Sequence, residues 1–125
     1  MGDRLFYLTR EFKFDSAHNL IRYHGKCEKL HGHTYRLAVT ISGEKNDEDM
    51  IIDFSFVKKV VKRKVLDRLD HAYINDIITQ PTAENISQWI YGELKDELSG
   101  ANYKLHEITL WETENNYVKY KEKNV

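Results

Sequence analysis

Four of the six histidines (His18, His24, His31 and His33) and the only cysteine, Cys27, fall between positions 18 and 33 of this 125-residue chain. Imidazole is the commonest metal-ligating side chain. In His31-Gly32-His33 two rings stand two residues apart, and in an extended backbone positions i and i+2 point to one face, so both can reach one cation. His18 offers a third nitrogen: it ends a strand pattern whose even-numbered face it shares if the strand runs on through Ser16. His24 lies in Tyr23-His24-Gly25-Lys26, a loop segment with no preset direction, so His18 is preferred. Three neutral nitrogens with a vacant fourth position describe a catalytic zinc site, whereas a closed structural site commonly adds thiolates. A solvated or core-satisfied histidine pair is the bland alternative; a third strand-positioned histidine and a cysteine four residues upstream favour the metal.

Three further groups bear chemistry. Cys27 is flanked by Lys26 and Lys29 in a polar loop, which favours an accessible thiolate suited to acid–base or nucleophilic work; a packed thiol and a fourth zinc ligand are the alternatives. Asp70-His71 follows a helical pattern, and a carboxylate that orients an imidazole makes a proton-transfer group near neutral pH. A histidine at a helix C-terminus is equally explained by the helix dipole. Glu112 continues the apolar alternation of Ile108 and Leu110, and a buried carboxylate needs donors. These come from an Arg or Lys of the protein, or from a ligand ring with adjacent NH and NH2 groups. By the same parity His106 shares that face, as a structural or solvated residue.

The elements that must position these groups are legible from hydrophobic period. Residues 5–14 alternate as a strand through Phe6, Leu8, Phe12 and Phe14, and residues 33–42 as a second through Tyr35, Leu37, Val39 and Ile41. The two are expected to pair antiparallel, with the charged stretch 43–49 as the turn closing a hairpin. Val57, Val61, Val65 and Leu69 then repeat at helical spacing, with Asp53 or Ser55 as the cap. Pro81-Thr82 starts a second helix, with Glu84 in its first turn and a stripe of Ile86, Ile90, Leu94 and Leu98. Two more strands follow, at 104–112 and 117–121, giving the order ββααββ. That order predicts an α+β protein in which two helices cover one face of a four-stranded antiparallel sheet. The free edges and uncovered face of such a sheet make an oligomer a fair expectation.

Bulk composition bounds the function. With 19 Lys+Arg against 20 Asp+Glu the net charge is −1, which supplies no basic field for nucleic acid. No apolar run reaches the roughly 20 residues that span a bilayer, and the start of the chain has no secretory-leader pattern, so a cytoplasmic protein is expected. One cysteine excludes an internal disulfide, and the fold must rest on a core built from the 41% hydrophobic residues. The length suits one domain over residues 1–125.

Together, in order, these segments resemble the 6-pyruvoyl-tetrahydropterin synthases and their bacterial relatives, the 6-carboxy-5,6,7,8-tetrahydropterin synthases. The segments are Phe14-Asp15-Ser16-Ala17-His18, Cys27-Glu28-Lys29-Leu30-His31-Gly32-His33-Thr34-Tyr35, Asp53-Phe54, Leu69-Asp70-His71, Pro81-Thr82-Ala83-Glu84-Asn85 and Glu112-Thr113. The resemblance implies the tunnelling fold, in which subunits join their sheets into a barrel, commonly as hexamers. It implies a zinc ion on His18, His31 and His33, Cys27 as the acid–base thiol, Asp70 and His71 as its partner dyad, and Glu112 as the pterin anchor with Thr82 near the ring site. Active sites at subunit interfaces are implied too, with Cys27 and His71 meeting from different chains. The three residues between Cys27 and His31 resemble the carboxy enzymes of queuosine biosynthesis. The implied reaction is a lyase step on a pterin triphosphate, converting 7,8-dihydroneopterin triphosphate to 6-carboxy-tetrahydropterin with release of acetaldehyde and triphosphate. The alternatives are a pyruvoyl synthase, a relative that cleaves the dihydroneopterin side chain through a glutamate such as Glu28, and, more remotely, a non-enzymatic zinc module.

Overall fold

A computed structural model describes residues 4–123. Strands β1 (Phe6–His18) and β2 (His31–Gly43) form its axis, paired antiparallel without interruption from Phe6 opposite Gly43 to His18 opposite His31. The turn of this hairpin is therefore the segment 19–30. The charged stretch 43–49, expected to close it, instead leads from β2 toward Ile51 and Ile52, which enter the core ahead of the first helix. Strand β1 also runs four residues beyond its apolar alternation. The added polar residues are satisfied locally: Ser16 Oγ donates to the Leu69 carbonyl, and the Asp15 amide donates to Asp70 Oδ1 at 2.9 Å.

The first helix, α1 (Phe54–Val61), starts where Asp53 accepts a hydrogen bond from the Ser55 amide. It passes through a π-type turn at Lys62–Leu66 into the short α2 (Asp67–Leu69). Residues four apart overshoot a full α-helical turn by ~40°. The wider π turn takes up that drift, so Val57, Val61, Val65 and Leu69 all stay buried against the sheet. Four basic residues at the end of this helix form surface ion pairs: Arg63 and Lys64 with Glu97, Arg68 with Glu93, and Lys62 with Asp67.

Helix α3 (Ala83–Leu94) begins at Thr82, whose hydroxyl accepts from the Asn85 amide, and buries Ile86, Ile90 and Leu94, with Leu98 just beyond it. Strands β4 (Tyr103–Trp111) and β5 (Tyr117–Tyr120) complete the antiparallel part of the sheet. A two-residue strand, β3 (Ala72–Tyr73), adds a fifth member, parallel to β1 at Ser16 and Ala17, and the order is β3-β1-β2-β4-β5. Two residues carry no period, so the sequence pattern shows four strands only.

Parity fails at one place. The ladder between β2 and β4 shifts between Thr40 and Ile41: Thr40 faces Glu107 while Ile41 faces Leu105, which leaves His106 as the extra residue of a bulge. His106 therefore leaves the face of Ile108 and Leu110, where alternation placed it, and packs on Tyr7, ring centroids 4.9 Å apart. The core lies between the sheet and the helices, around Tyr35, Leu37, Ile86, Ile90 and Ile108, all fully buried. Truncating such a side chain to alanine costs about 2–5 kcal/mol. Among the described residues, no helix is long and apolar enough to cross a membrane.

Candidate active site

The antiparallel register sets the site. His18 stands opposite His31 and Ser16 opposite His33, and directly paired residues project to the same side, so all three imidazoles leave the sheet on its helix-covered face. Their ring centroids are 4.7, 4.9 and 5.2 Å apart. One nitrogen from each lies within 4.8 Å of the others. Second partners orient two of the rings: His18 Nδ1 is 2.8 Å from the Pro81 carbonyl and His31 Nδ1 is 2.9 Å from the Lys29 carbonyl. A carbonyl only accepts, so each Nδ1 donates and each Nε2 keeps its lone pair for the cluster.

The Nε2 atoms of His18 and His33 are buried without a hydrogen-bond partner, a state that folded proteins rarely leave uncompensated. Burial also pulls the His33 pKa below the ordinary 6.5 despite the opposing charge of Glu112, which favours the neutral, metal-binding form. Two partnerless buried ring nitrogens beside a third oriented imidazole fit a divalent zinc ion, whose protein ligands in catalytic sites commonly number three.

Glu112, following β4, reaches the same place, with Oε2 3.6 Å from His18 Nε2 and the side chain about one-third exposed. Among the described residues, no Lys or Arg pairs with it, so its carboxylate has accepting capacity directed at the cleft. Tyr35, stacked on Phe14, floors the site, and burial raises its phenol pKa above the ordinary 10.

The remaining expected residues lie around this cluster and not within it. Cys27 is exposed, its Sγ 3.5 Å from the Ile21 carbonyl, and it does not join the three imidazoles. Glu28 is engaged, accepting from the Leu20 amide at 3.0 Å, with its carboxylate 3.9 Å from His31 Nδ1. Thr82 caps α3 and adjoins Pro81, whose carbonyl orients His18.

Asp70 and His71 form a separate group with Asp15 at the β1 edge. His71 Nδ1 lies 3.1 Å from Asp70 Oδ1, and the His71 amide donates to the Asp15 carbonyl at 2.6 Å. His71 adopts φ +58°, a left-handed conformation uncommon outside glycine and held here by that bond. The Asp15 amide, followed by His71, keeps the Asp70 carboxyl below its ordinary range, so it stays ionised beside the imidazole. Asp15 and His71 line an open depression with Thr34 and Tyr73 whose wall also includes His33, although the donor atoms of Asp15, Asp70 and His71 form a group separate from the three imidazoles.

Alternation missed the carbonyls of Pro81 and Lys29, because backbone acceptors leave no trace in residue type. It gave no role to Asp15, although Asp15 stands in the same segment as His18.

A five-stranded sheet with its helices on one face and three imidazoles gathered on the last rungs of its central hairpin defines a tunnelling-fold protein with a donor set of the kind that could hold a metal ion. The solved 6-pyruvoyl tetrahydropterin synthase of Caenorhabditis elegans superposes with a TM-score of 0.82 at 27% identity, over 96% of this chain and 97% of that one. The family described as 6-pyruvoyl tetrahydropterin synthase matches residues 7–123, and the chain belongs to that family. A relative in Haemophilus influenzae, a 6-carboxy-5,6,7,8-tetrahydropterin synthase, is 35% identical over 94% of this chain and all of its own length. A dihydroneopterin monophosphate aldolase of Pyrococcus furiosus is 40% identical over 90% of this chain and 91% of its own.

Proposed function

We propose that this protein is a zinc-dependent 6-carboxy-5,6,7,8-tetrahydropterin synthase of the queuosine branch, acting on 7,8-dihydroneopterin triphosphate and releasing acetaldehyde and triphosphate. The observation that carries this is the cluster of His18, His31 and His33, with two buried Nε2 atoms lacking hydrogen-bond partners beside the Glu112 carboxylate, which no Lys or Arg among the described residues pairs. The Haemophilus influenzae relative and the three-residue gap between Cys27 and His31 support the carboxy branch.

His18, His31 and His33 would hold the ion, which when bound supplies Lewis acidity to the side-chain hydroxyls of the substrate. Glu112 accepts from adjacent NH and NH2 donors of the pterin ring and so fixes the side chain relative to the bases. Cys27 and His71 exchange protons with the side-chain carbons and the ring. Asp70, ionised and 3.1 Å from His71 Nδ1, holds that ring with Nε2 free for transfer and stabilises its cationic form. Proton transfers of this kind are worth roughly 10²–10⁴ in rate. Because the dyad lies apart from the histidine cluster in one chain, a neighbouring subunit of a homo-oligomer, expected to be a hexamer, brings Asp70 and His71 to Cys27.

Incubating zinc-loaded protein with dihydroneopterin triphosphate and weighing the products tests the assignment. The expected product is 6-carboxy-tetrahydropterin; a pyruvoyl product or simple loss of the side chain would move the protein to another branch. The aldolase relative and the Glu28 carboxylate near His31 favour side-chain loss as the second reading.

A further inference from the structure

The loop that carries Cys27, residues 19–30, is mostly exposed and is tied to itself at three places: Tyr23 bridges Lys26, Glu28 bonds Leu20, and Cys27 Sγ reaches the Ile21 carbonyl. A loop of this length needs outside partners for its backbone wherever it is held against the body of the protein. At two points those partners are side-chain amides. Asn75 Oδ1 accepts from the Asn19 amide at 3.0 Å, and its Nδ2 donates to the Asn19 carbonyl at 2.8 Å. Gln80 Oε1 accepts from the amides of Ile21 at 2.8 Å and Arg22 at 3.3 Å, while its Nε2 donates to the Arg22 carbonyl at 2.9 Å. A primary amide offers the same donor and acceptor as a peptide group, so Gln80 serves the loop as a neighbouring strand would.

The tether ends at the thiol. The Ile21 amide is held by Gln80, and the Ile21 carbonyl lies 3.5 Å from Cys27 Sγ. The residue after Gln80 is Pro81, whose carbonyl orients His18. We infer that Gln80 is a positioning residue that fixes the Cys27 loop relative to the histidine cluster, through a Gln80-Pro81 segment serving both. This rests on the reading of Cys27 as the acid–base thiol. A misplacement of about 1 Å in such a group costs on the order of 10²-fold in rate.

The test uses zinc-loaded Gln80→Leu, which keeps bulk without the amide, and Gln80→Glu, which keeps both acceptor contacts and loses the donor. In Gln80→Leu, kcat should fall on the order of 10²-fold with KM and zinc content near wild type, and kcat should fall in Gln80→Glu too, because its second oxygen is set against the Arg22 carbonyl that Nε2 served. Alkylation of Cys27 by iodoacetamide, measured without pterin, should quicken several-fold in Gln80→Leu. Unchanged kcat with unchanged alkylation in Gln80→Leu, or a wild-type kcat in Gln80→Glu, overturns the inference. Should Gln80→Leu fail to fold, hydrogen exchange at the Ile21 and Arg22 amides decides: these amides should be protected in the wild type, and rapid exchange there overturns the tether. Turnover retained in Cys27→Ala defeats the thiol reading and any catalytic role of Gln80 with it. Turnover lost in Cys27→Ala but kept in Gln80→Leu defeats the positioning role alone.

Discussion

Each imidazole of the cluster is directed by something other than its own residue type. His18 is fixed by the Pro81 carbonyl and His31 by the Lys29 carbonyl, while burial holds His33 toward its neutral form. Cys27 does not join them, so the proposed metal ligands and the proposed acid–base thiol are distinct side chains. Cys27→Ala is therefore expected to retain stoichiometric zinc and lose turnover, whereas His31→Ala should lose both; metal analysis alongside product formation checks this. Cobalt in place of zinc should give weak d–d bands without an intense thiolate charge-transfer band. Such a band would mean that the thiol moves into the cluster and closes it.

Among the elements, the segment before α3 bears on the site most directly. Thr82 caps the helix and stands next to the carbonyl that orients His18. Thr82→Ala should lower stability by about 1 kcal/mol, read by urea unfolding, and should weaken zinc affinity by loosening Pro81. Much of this arrangement was legible in residue order. The i, i+2 histidines, the even-numbered face of β1, the Asp53 and Thr82 caps and the valine stripe of the first helix all follow from period and cap chemistry. What escaped has a common cause, since hydrophobic alternation reports only side chains that bury themselves. It was silent where Asp15 and Ser16 extend β1 through polar contacts, and at the two-residue β3. It misplaced the hairpin turn at the charged stretch 43–49, because the true turn, 19–30, holds the site and so reads as chemistry.

Over the whole molecule, the sheet has two open margins. Strand β3 covers β1 only at Ser16 and Ala17, and β5 is paired on one side only. Phe6 and Tyr117, on these margins, are about half exposed, and unpaired edges of this kind invite continuation by another copy. A double substitution, Phe6→Glu with Tyr117→Glu, is expected to reduce the assembled mass in sedimentation and to depress turnover while zinc stays bound. A monomer with full activity would show that one chain suffices.

The bulge at His106 reaches further than its own position. Side chains change sides with every step along a strand, so one supernumerary residue shifts the phase of all that follows. With the insertion, Leu105 faces inward before it, and Ile108 and Leu110 face inward after it. Glu112, next in that phase, arrives beside His18. Straighten the bulge with His106 taken into the ladder and the strand faces a forced choice: Leu105 turns to water, or the carboxylate rotates to the far side of the sheet, away from the imidazoles. The polarity of the cleft thus depends on a count of residues several positions upstream, and a one-residue gap that the bulge would absorb would, between it and Glu112, invert that polarity.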